Sequence, residues 1–342
     1  MKYEFFSGSY GEKGEEGIVK FLLDPEHGQL EKLDAYCEIK NPSYLGFNRD
    51  KTVLYAVQEE VPEGKIHALH VTEKGLEPLR ALSTKGADPC HVTLDHTEKL
   101  LFADNYTSGS LAVFRLKEDG DLESLSQLIV HDGKSVHPVR QSSAHIHYTK
   151  KQDGFAYTVD LGMDEIFIYR VNNSGYCLED TGRRLCLPEG SGPRHIEFHR
   201  TMPGILYVIC ELGNEIAVFE ETDGEYALKQ RISTVPEDFS GESTAAAVKM
   251  QGDYLFASNR GHDSIAVYRI RPDGTLELSQ ITKTGGKTPR DFTLFDDYLV
   301  AANQDSDSIT VLRMDWERGI LEPTGISAKT VRPTCIRKYR NL

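Results

Sequence analysis

Histidine, arginine and carboxylate recur at comparable places along this 342-residue chain. His145 and His147 lie two apart in AHIH, Arg194 and His195 in GPRH, Glu211 in CEL, Arg260 in SNRG, Arg290 and Asp291 in TPRD, and His91 in DPCH. These types together suit a hydrolytic reaction. An imidazole, with an unperturbed pKa of about 6.5, takes a proton from water near neutral pH. Guanidinium groups hold a carboxylate or phosphate and a developing oxyanion. Burial would be needed to raise a Glu211 carboxyl far enough to compete as the base. The neighbouring charge of Arg194 would instead keep it acidic, so Glu211 is better suited to orienting a histidine or pairing with the arginine. The expected base is therefore one of His145 and His147, with Arg260 polarising a carbonyl.

For residues so far apart in sequence to cooperate, a repeated scaffold must bring them to matched positions. The repeat is clearest in residues 191–219, SGPRHIEFHRTMPGILYVICELGNEIAVF. A turn signal opens an alternating segment; a second turn leads to an apolar run, a polar knot and another apolar run. Runs of this length between turn signals read as strands. Weaker copies open at residues 42, 89, 144, 245 and 289, giving a period near fifty. Several strands per repeat at that period indicate a β-propeller of four-stranded antiparallel blades. The C-terminal Arg332, Pro333, Thr334, Cys335 and Ile336 have the opening but no chain left to complete a blade. Three strands within residues 3–39 lack a first. Joining the two ends in one blade gives seven blades, closes the ring and leaves no ragged edge. The chain is expected to form a single domain over residues 1–342, all β.

Within the repeat, Asn105, Asp160, Cys210, Asn259 and Asn303 share one column, and Tyr106, Leu161, Glu211, Arg260 and Gln304 the next. A polar residue repeated in every blade reads as a fastener of turn backbone, the reading to set against substrate binding for Asn105 and Asn259. Charges found in one blade only, such as Arg194, Glu211 and Arg260, are not explained by symmetry and are the better functional candidates. His145 and His147, two apart, should share one face of a strand. His91 and His195 either pack or contact substrate, and Arg290 is either a phosphate clamp or an inter-blade ion pair. Cys210 stands out among the cysteines because its column is otherwise polar. Two insertions, residues 131–143 and 235–243, are candidate loops over one face.

Composition narrows the function class. The chain carries 39 basic and 53 acidic residues, a net charge of -14, which disfavours nucleic acid and anionic membranes as partners. The first residues lack the apolar run of a signal peptide, and no run approaches the roughly 20 residues of a membrane span. A cytoplasmic protein is expected, acting as a monomer or weak dimer. The six cysteines show no C-x-x-C spacing, so neither a zinc site nor a disulfide framework is expected. The histidine pair lacks a third ligand at convincing spacing, and neither metal nor cofactor is expected.

The order and spacing of NPSYL (41–45), DPCHV (88–92), ADNYTSGSLAVF (103–114), VDLGMDEI (159–166), GPRHIEF (192–198), CELGNEIAVF (210–219), ASNRGHDSIAVY (257–268) and TPRDF (288–292) resemble the lactonase family of seven-bladed propellers. That family includes a bacterial 6-phosphogluconolactonase and is related to a fungal carboxy-muconate lactonizing enzyme. The resemblance implies hydrolysis of a sugar lactone, phosphorylated in the case of 6-phosphoglucono-1,5-lactone. From the muconate enzymes it implies a site of one histidine, two arginines and a glutamate. On this chain these are Arg194, Glu211, Arg260 and either His145 or His147. A muconate-type cycloisomerase would use the same groups in the ring-closing direction, and a non-catalytic scaffold would use the fold alone.

Overall fold

A computed structural model describes residues 1–95 and 97–342. They form two compact units, one of Met1–Ser7, Lys20–Leu33 and Pro193–Leu342, the other of Gly8–Val19 and Asp34–Gly192. The chain begins with β1 (Tyr3–Ser9), β2 (Ile18–Asp24) and β3 (Gln29–Tyr36). Three sheets follow in the second unit. The first holds β4 (Leu45–Phe47), β5 (Val53–Gln58), β6 (Lys65–Thr72) and β7 (Gly75–Ser83). The next holds β8 (Pro89–Leu94), β9 (Leu100–Asn105), β10 (Ser110–Leu116) and β11 (Leu122–Val130). The third holds β12 (Ile146–Gln152), β13 (Phe155–Asp160), β14 (Glu165–Asn172) and β15 (Cys177–Cys186).

Three more lie in the first unit. They are β16 (Pro193–Phe198), β17 (Ile205–Cys210), β18 (Glu215–Thr222) and β19 (Glu225–Ser233); then β20 (Thr244–Gln251), β21 (Tyr254–Arg260), β22 (Ser264–Ile270) and β23 (Leu276–Lys283); then β24 (Pro289–Phe295), β25 (Tyr298–Asn303), β26 (Ser308–Asp315) and β27 (Ile320–Lys329). The last strand, β28 (Pro333–Asn341), pairs with β1 in the sheet β28-β1-β2-β3. The N- and C-terminal segments thus share a blade, as the incomplete repeats at both ends require. Among the described residues there are seven four-stranded sheets; six run in sequence order across the blade, and the seventh places β28 ahead of β1.

Burial explains why the second strand of each repeat is its strongest sequence signal. Every residue of β9 and β17 is buried; β9 has its two faces covered by the neighbouring blades of its own unit. A strand buried on both faces reads as a continuous apolar run. Outer strands such as β11 alternate toward solvent. Interfaces between blades within a unit form separate apolar cores. Tyr55, Leu101 and Phe114 belong to one, Tyr207, Leu255 and Tyr268 to another. The outer turns lock onto the preceding blade: Tyr55 and Tyr207 donate their phenol hydrogens to the carbonyls of Gly120 and Gly274. Both glycines have positive φ, and a Cβ on Gly274 would sit 2.9 Å from Ile205 Cγ1, so the turns at Glu118–Gly120 and Pro272–Gly274 need glycine for conformation and for space. Trp316, unexplained by its sequence context, donates from Nε1 to Asp297 at 2.7 Å and packs on Tyr254 and Phe256.

Candidate active site

The first strand of the repeat carries a β-bulge that sets where the candidate side chains go. In β16, Pro193 pairs with Cys210 and His195 with Ile209, leaving Arg194 as the extra residue. The same slip leaves out Cys90 in β8, His147 in β12 and Arg290 in β24. In β20, Ala246 and Ala247 lie opposite Ser258 alone, whose hydroxyl receives the Ala247 amide hydrogen. The opening proline has no N–H to place in a ladder, which suits it to a strand start. The residue before it adopts positive φ at Asp88, Gly192 and Thr288. A bulge bends the strand and re-aims a side chain. It also breaks the strict alternation expected of His145 and His147. His145 precedes β12 and His147 is the bulge residue, so the third copy of the repeat opens at Ile146 rather than at Ala144.

In the unit containing residues 193–342, Arg194, Glu211 and Arg260 come together. Glu211, 2% exposed and just beyond β17, places Oε2 3.0 Å from Arg194 Nε and 2.7 Å from an Arg260 terminal nitrogen. Arg194 also donates to the Ala246 carbonyl at 2.7 Å, and Arg260 to that of Ala245 at 3.2 Å. The bulge sets Arg194 and His195 side by side, with a terminal guanidinium nitrogen 3.1 Å from His195 Nε2. The guanidinium can only donate, so Nε2 is the acceptor and the His195 ring proton sits on Nδ1.

Arg290 occupies the bulge of β24, and the next residue, Asp291, anchors a second ion cluster with Lys249 at 2.8 Å and Arg337 at 2.7 Å. Burial alone would raise the Asp291 carboxyl. Lys249 and Arg337 outweigh it and hold it down at about 2. A carboxyl depressed in the folded state stabilises the fold above its unfolded pKa, roughly 4, and loses that contribution as pH falls toward the folded value. Asp291→Asn is therefore expected to lower stability at pH 7 by roughly 2 kcal/mol. The gap to wild type should close between pH 4 and 2, as read by Tm across that range; a gap independent of pH would remove the carboxylate from this role.

In the unit containing residues 34–192, the histidines form two groups. His147, 4% exposed, has Nδ1 3.9 Å from Cys90 Sγ and meets the edge of the Tyr106 ring at 5.5 Å between centroids. His145 stacks on the same Tyr106 at 4.4 Å. Its Nδ1 lies 2.9 Å from the Tyr106 carbonyl, which fixes the ring proton on Nδ1. His91 sits apart from this pair, its Nδ1 2.6 Å from Asp104, between the rings of Tyr44 and Tyr148. Asp104 also accepts from Thr149 Oγ1.

Asn105 and Asn259 do not present themselves to a ligand. Both are fully buried, and their amides donate within the blade framework, Asn105 to Ser110 at 3.1 Å and Asn259 to the Thr234 carbonyl at 2.6 Å and Ser264 at 3.1 Å. They fasten the end of the second strand, and Asp160 does the same by accepting the amide hydrogens of His145, Gly162 and Met163. Cys210 is fully buried, its Sγ 3.8 Å from the Val208 carbonyl; burial, not a role in the polar column, accounts for it.

Asp104 and Glu59 are among the residues that escaped the sequence reading. Asp104 carries no repeat signature. Glu59 does: its amide hydrogen goes to the Asn41 carbonyl, as that of Tyr106 goes to Asp88 and that of Gln304 to Thr288. It therefore shares the column of Glu211, in the copy of the repeat that opens at residue 42. Glu59 accepts from Tyr10 at 2.8 Å and from Ser43. Among the described residues, no group of three or more His, Cys, Asp or Glu side chains is placed to hold a metal ion, and no helix is long and apolar enough to cross a membrane.

Comparison with known proteins bears on this geometry. Residues 4–338 match the family model described as lactonase, 7-bladed beta-propeller. The chain belongs to the lactonase family of seven-bladed β-propellers. It is 34% identical over 304 residues to a 6-phosphogluconolactonase of Bacillus subtilis (strain 168), covering 86% of this chain and 85% of that protein. Among solved structures it resembles the periplasmic gluconolactonase of Pseudomonas aeruginosa, with a TM-score of 0.93, 28% identity and 99% of each chain covered. A protein from Lactobacillus plantarum is similar at TM-score 0.93 and 29% identity, over 99% of this chain and 100% of that one.

Proposed function

We propose that this protein hydrolyses 6-phosphoglucono-1,5-lactone to 6-phosphogluconate in the cytoplasm. The observation that carries the reading is the Glu211 carboxylate shared by Arg194 and Arg260. A carboxylate under two guanidinium groups stays ionised and is a poor proton acceptor. That leaves an imidazole as base and the arginines as electrophilic groups. His147 is assigned as base because it stands at the bulge, the repeat position that carries Arg194 and Arg290 in other blades.

In this reading water attacks the lactone carbonyl carbon while His147 accepts its proton. The carbonyl oxygen takes up the negative charge, which a guanidinium group stabilises. Collapse of the tetrahedral intermediate breaks the bond from the acyl carbon to the ring oxygen, and the imidazolium returns the proton to that oxygen. Arg194 and Glu211 keep the Arg260 guanidinium in place, and Arg290 and His195 contribute to substrate binding. A preference for a phosphorylated lactone is supported by the Bacillus subtilis relative named 6-phosphogluconolactonase.

The test compares initial rates on 6-phosphogluconolactone, glucono-1,5-lactone and a muconolactone, each corrected for spontaneous opening. Fastest turnover of the phosphorylated lactone is expected. A preference for the muconolactone would move the protein to the ring-closing chemistry, and no acceleration of any of the three would leave only a scaffold.

A further inference from the structure

We infer that Asp160 is a positioning residue for His147, holding both ends of the loop that leads into β12. The inference rests on the reading of His147 as the base and assigns the placement of that base to a single buried carboxylate. Fifteen residues, 131–145, separate β11 from β12, against five, 84–88, between β7 and β8 and five, 284–288, between β23 and β24. A connection that long within a compact domain is commonly functional. Its ends need fastening if the strand that follows is to start at a defined residue.

Other blades use a neutral fastener. The residue just after a fourth strand meets the one that ends the second strand of the next blade. Asn105 donates to the Thr84 carbonyl at 3.5 Å, Asn259 to that of Thr234 at 2.6 Å, and Thr284 donates from Oγ1 to the Asn303 side-chain oxygen at 2.8 Å. In the blade that carries His147, a buried histidine and a buried aspartate stand at these two places. His131 has Nδ1 2.8 Å from Asp160 Oδ2 and Nε2 2.8 Å from the Tyr169 hydroxyl, and its ring stacks on Phe167 at 3.8 Å. Burial pushes the Tyr169 phenol up, so it keeps its proton. A carboxylate can only accept, so Nδ1 donates to Asp160 and Nε2 accepts from the phenol.

An asparagine offers one acceptor oxygen and a carboxylate two, and Asp160 uses both. Oδ2 takes His131, the first residue of the loop. Oδ1 takes the amide hydrogen of His145, the last, at 2.8 Å, with those of Gly162 and Met163 at 3.0 and 3.2 Å. The Leu161 amide hydrogen goes to the His145 carbonyl at 2.9 Å, so the N–H and C=O of His145 are both committed to residues 160–161. Ile146 then pairs with Asp160, and His147 falls at the bulge. Between its ends the loop is braced by the buried Gln141, which donates to the Leu161 carbonyl at 2.9 Å, and by Arg140, which donates to the Tyr106 hydroxyl at 3.3 and 3.1 Å. One carboxylate thereby sets the register of the chain two residues before the base.

The test is a double-mutant cycle between Asp160 and His147, read as kcat and KM on 6-phosphogluconolactone with spontaneous opening subtracted and Tm recorded for each variant. Asp160→Ala is expected to lower kcat by about tenfold to a hundredfold with KM little changed, the scale for a displaced catalytic group. Introduced into His147→Ala it should lower kcat by less than about threefold, because no base remains to be positioned. Asp160→Asn keeps one acceptor for the His145 amide and His131→Ala releases only the start of the loop; each should lose about threefold to tenfold. These two carry the same cycle should Asp160→Ala not fold. A loss that persists in full without His147, a loss confined to KM, or wild-type kcat in the folded variants overturns the role of Asp160 and leaves the reading of the base intact. Near wild-type turnover in His147→Ala itself overturns that reading and this inference with it.

Discussion

Replacing His147 with alanine is expected to slow lactone hydrolysis by about 10² to 10⁴-fold, the range for loss of a general base. The effect should fall on kcat, because the proton leaves water only in the transition state, and the acidic limb of the pH–rate profile should go with the imidazole. His145→Ala should cost much less. Its Nδ1 is committed to the Tyr106 carbonyl and its ring to the Tyr106 face, which suits it to shaping the surroundings of the base. Steady-state kinetics of the two variants decide between them: a larger loss in His145→Ala would transfer the role of base to His145. Near wild-type turnover in both, with an inactive Glu211→Gln, would make Glu211 the base.

The second large effect is on stability. The Glu211 carboxylate is shared by the buried Arg194 and the nearly buried Arg260. Removing one partner of a buried ion pair leaves uncompensated charge and typically costs about 3 to 5 kcal/mol. Glu211→Gln is expected to destabilise the protein by about 3 kcal/mol and Glu211→Ala by more. The loss should be partly repaired by adding Arg194→Ala, since the second change removes one of the stranded cations. Denaturant unfolding of the two single variants and the double variant measures the coupling directly. Additive losses would mean that the three side chains do not act as one electrostatic unit. Catalysis should suffer as well, through displacement of Arg260, but by less than in His147→Ala.

These two predictions draw unequally on sequence and structure. The blade count, the sharing of one blade by the two ends and the candidate Arg194, Glu211 and Arg260 were all legible in the chain. Strands buried on both faces have to be continuous apolar runs, as in Ile205–Cys210, and such runs recur visibly. A charge that breaks a repeated column is equally visible, because symmetry predicts what should stand there.

Register was not legible, and it decided which histidine stands at the bulge of β12. The paired ends of the first hairpin are 16 residues apart from Pro89 to Asn105, 17 from Pro193 to Cys210 and 14 from Pro289 to Asn303. Either Ala144 or Ile146 is therefore an acceptable distance from Asp160, and only the pairing of Ile146 with Asp160 puts His147 at the bulge. Hairpin length varies at little energetic cost on the surface, so spacing alone cannot locate a bulge one residue long. The partners of the charged groups were hidden for a related reason. Asp104 beneath His91, Glu59 in the column of Glu211, and Arg140 on Tyr106 meet their neighbours across 13 to 34 residues of sequence or through equivalence between blades. Composition and periodicity determined the scaffold because burial acts on every residue of a strand; side-chain pairing acts on single atoms, and only the folded chain decides which of them meet.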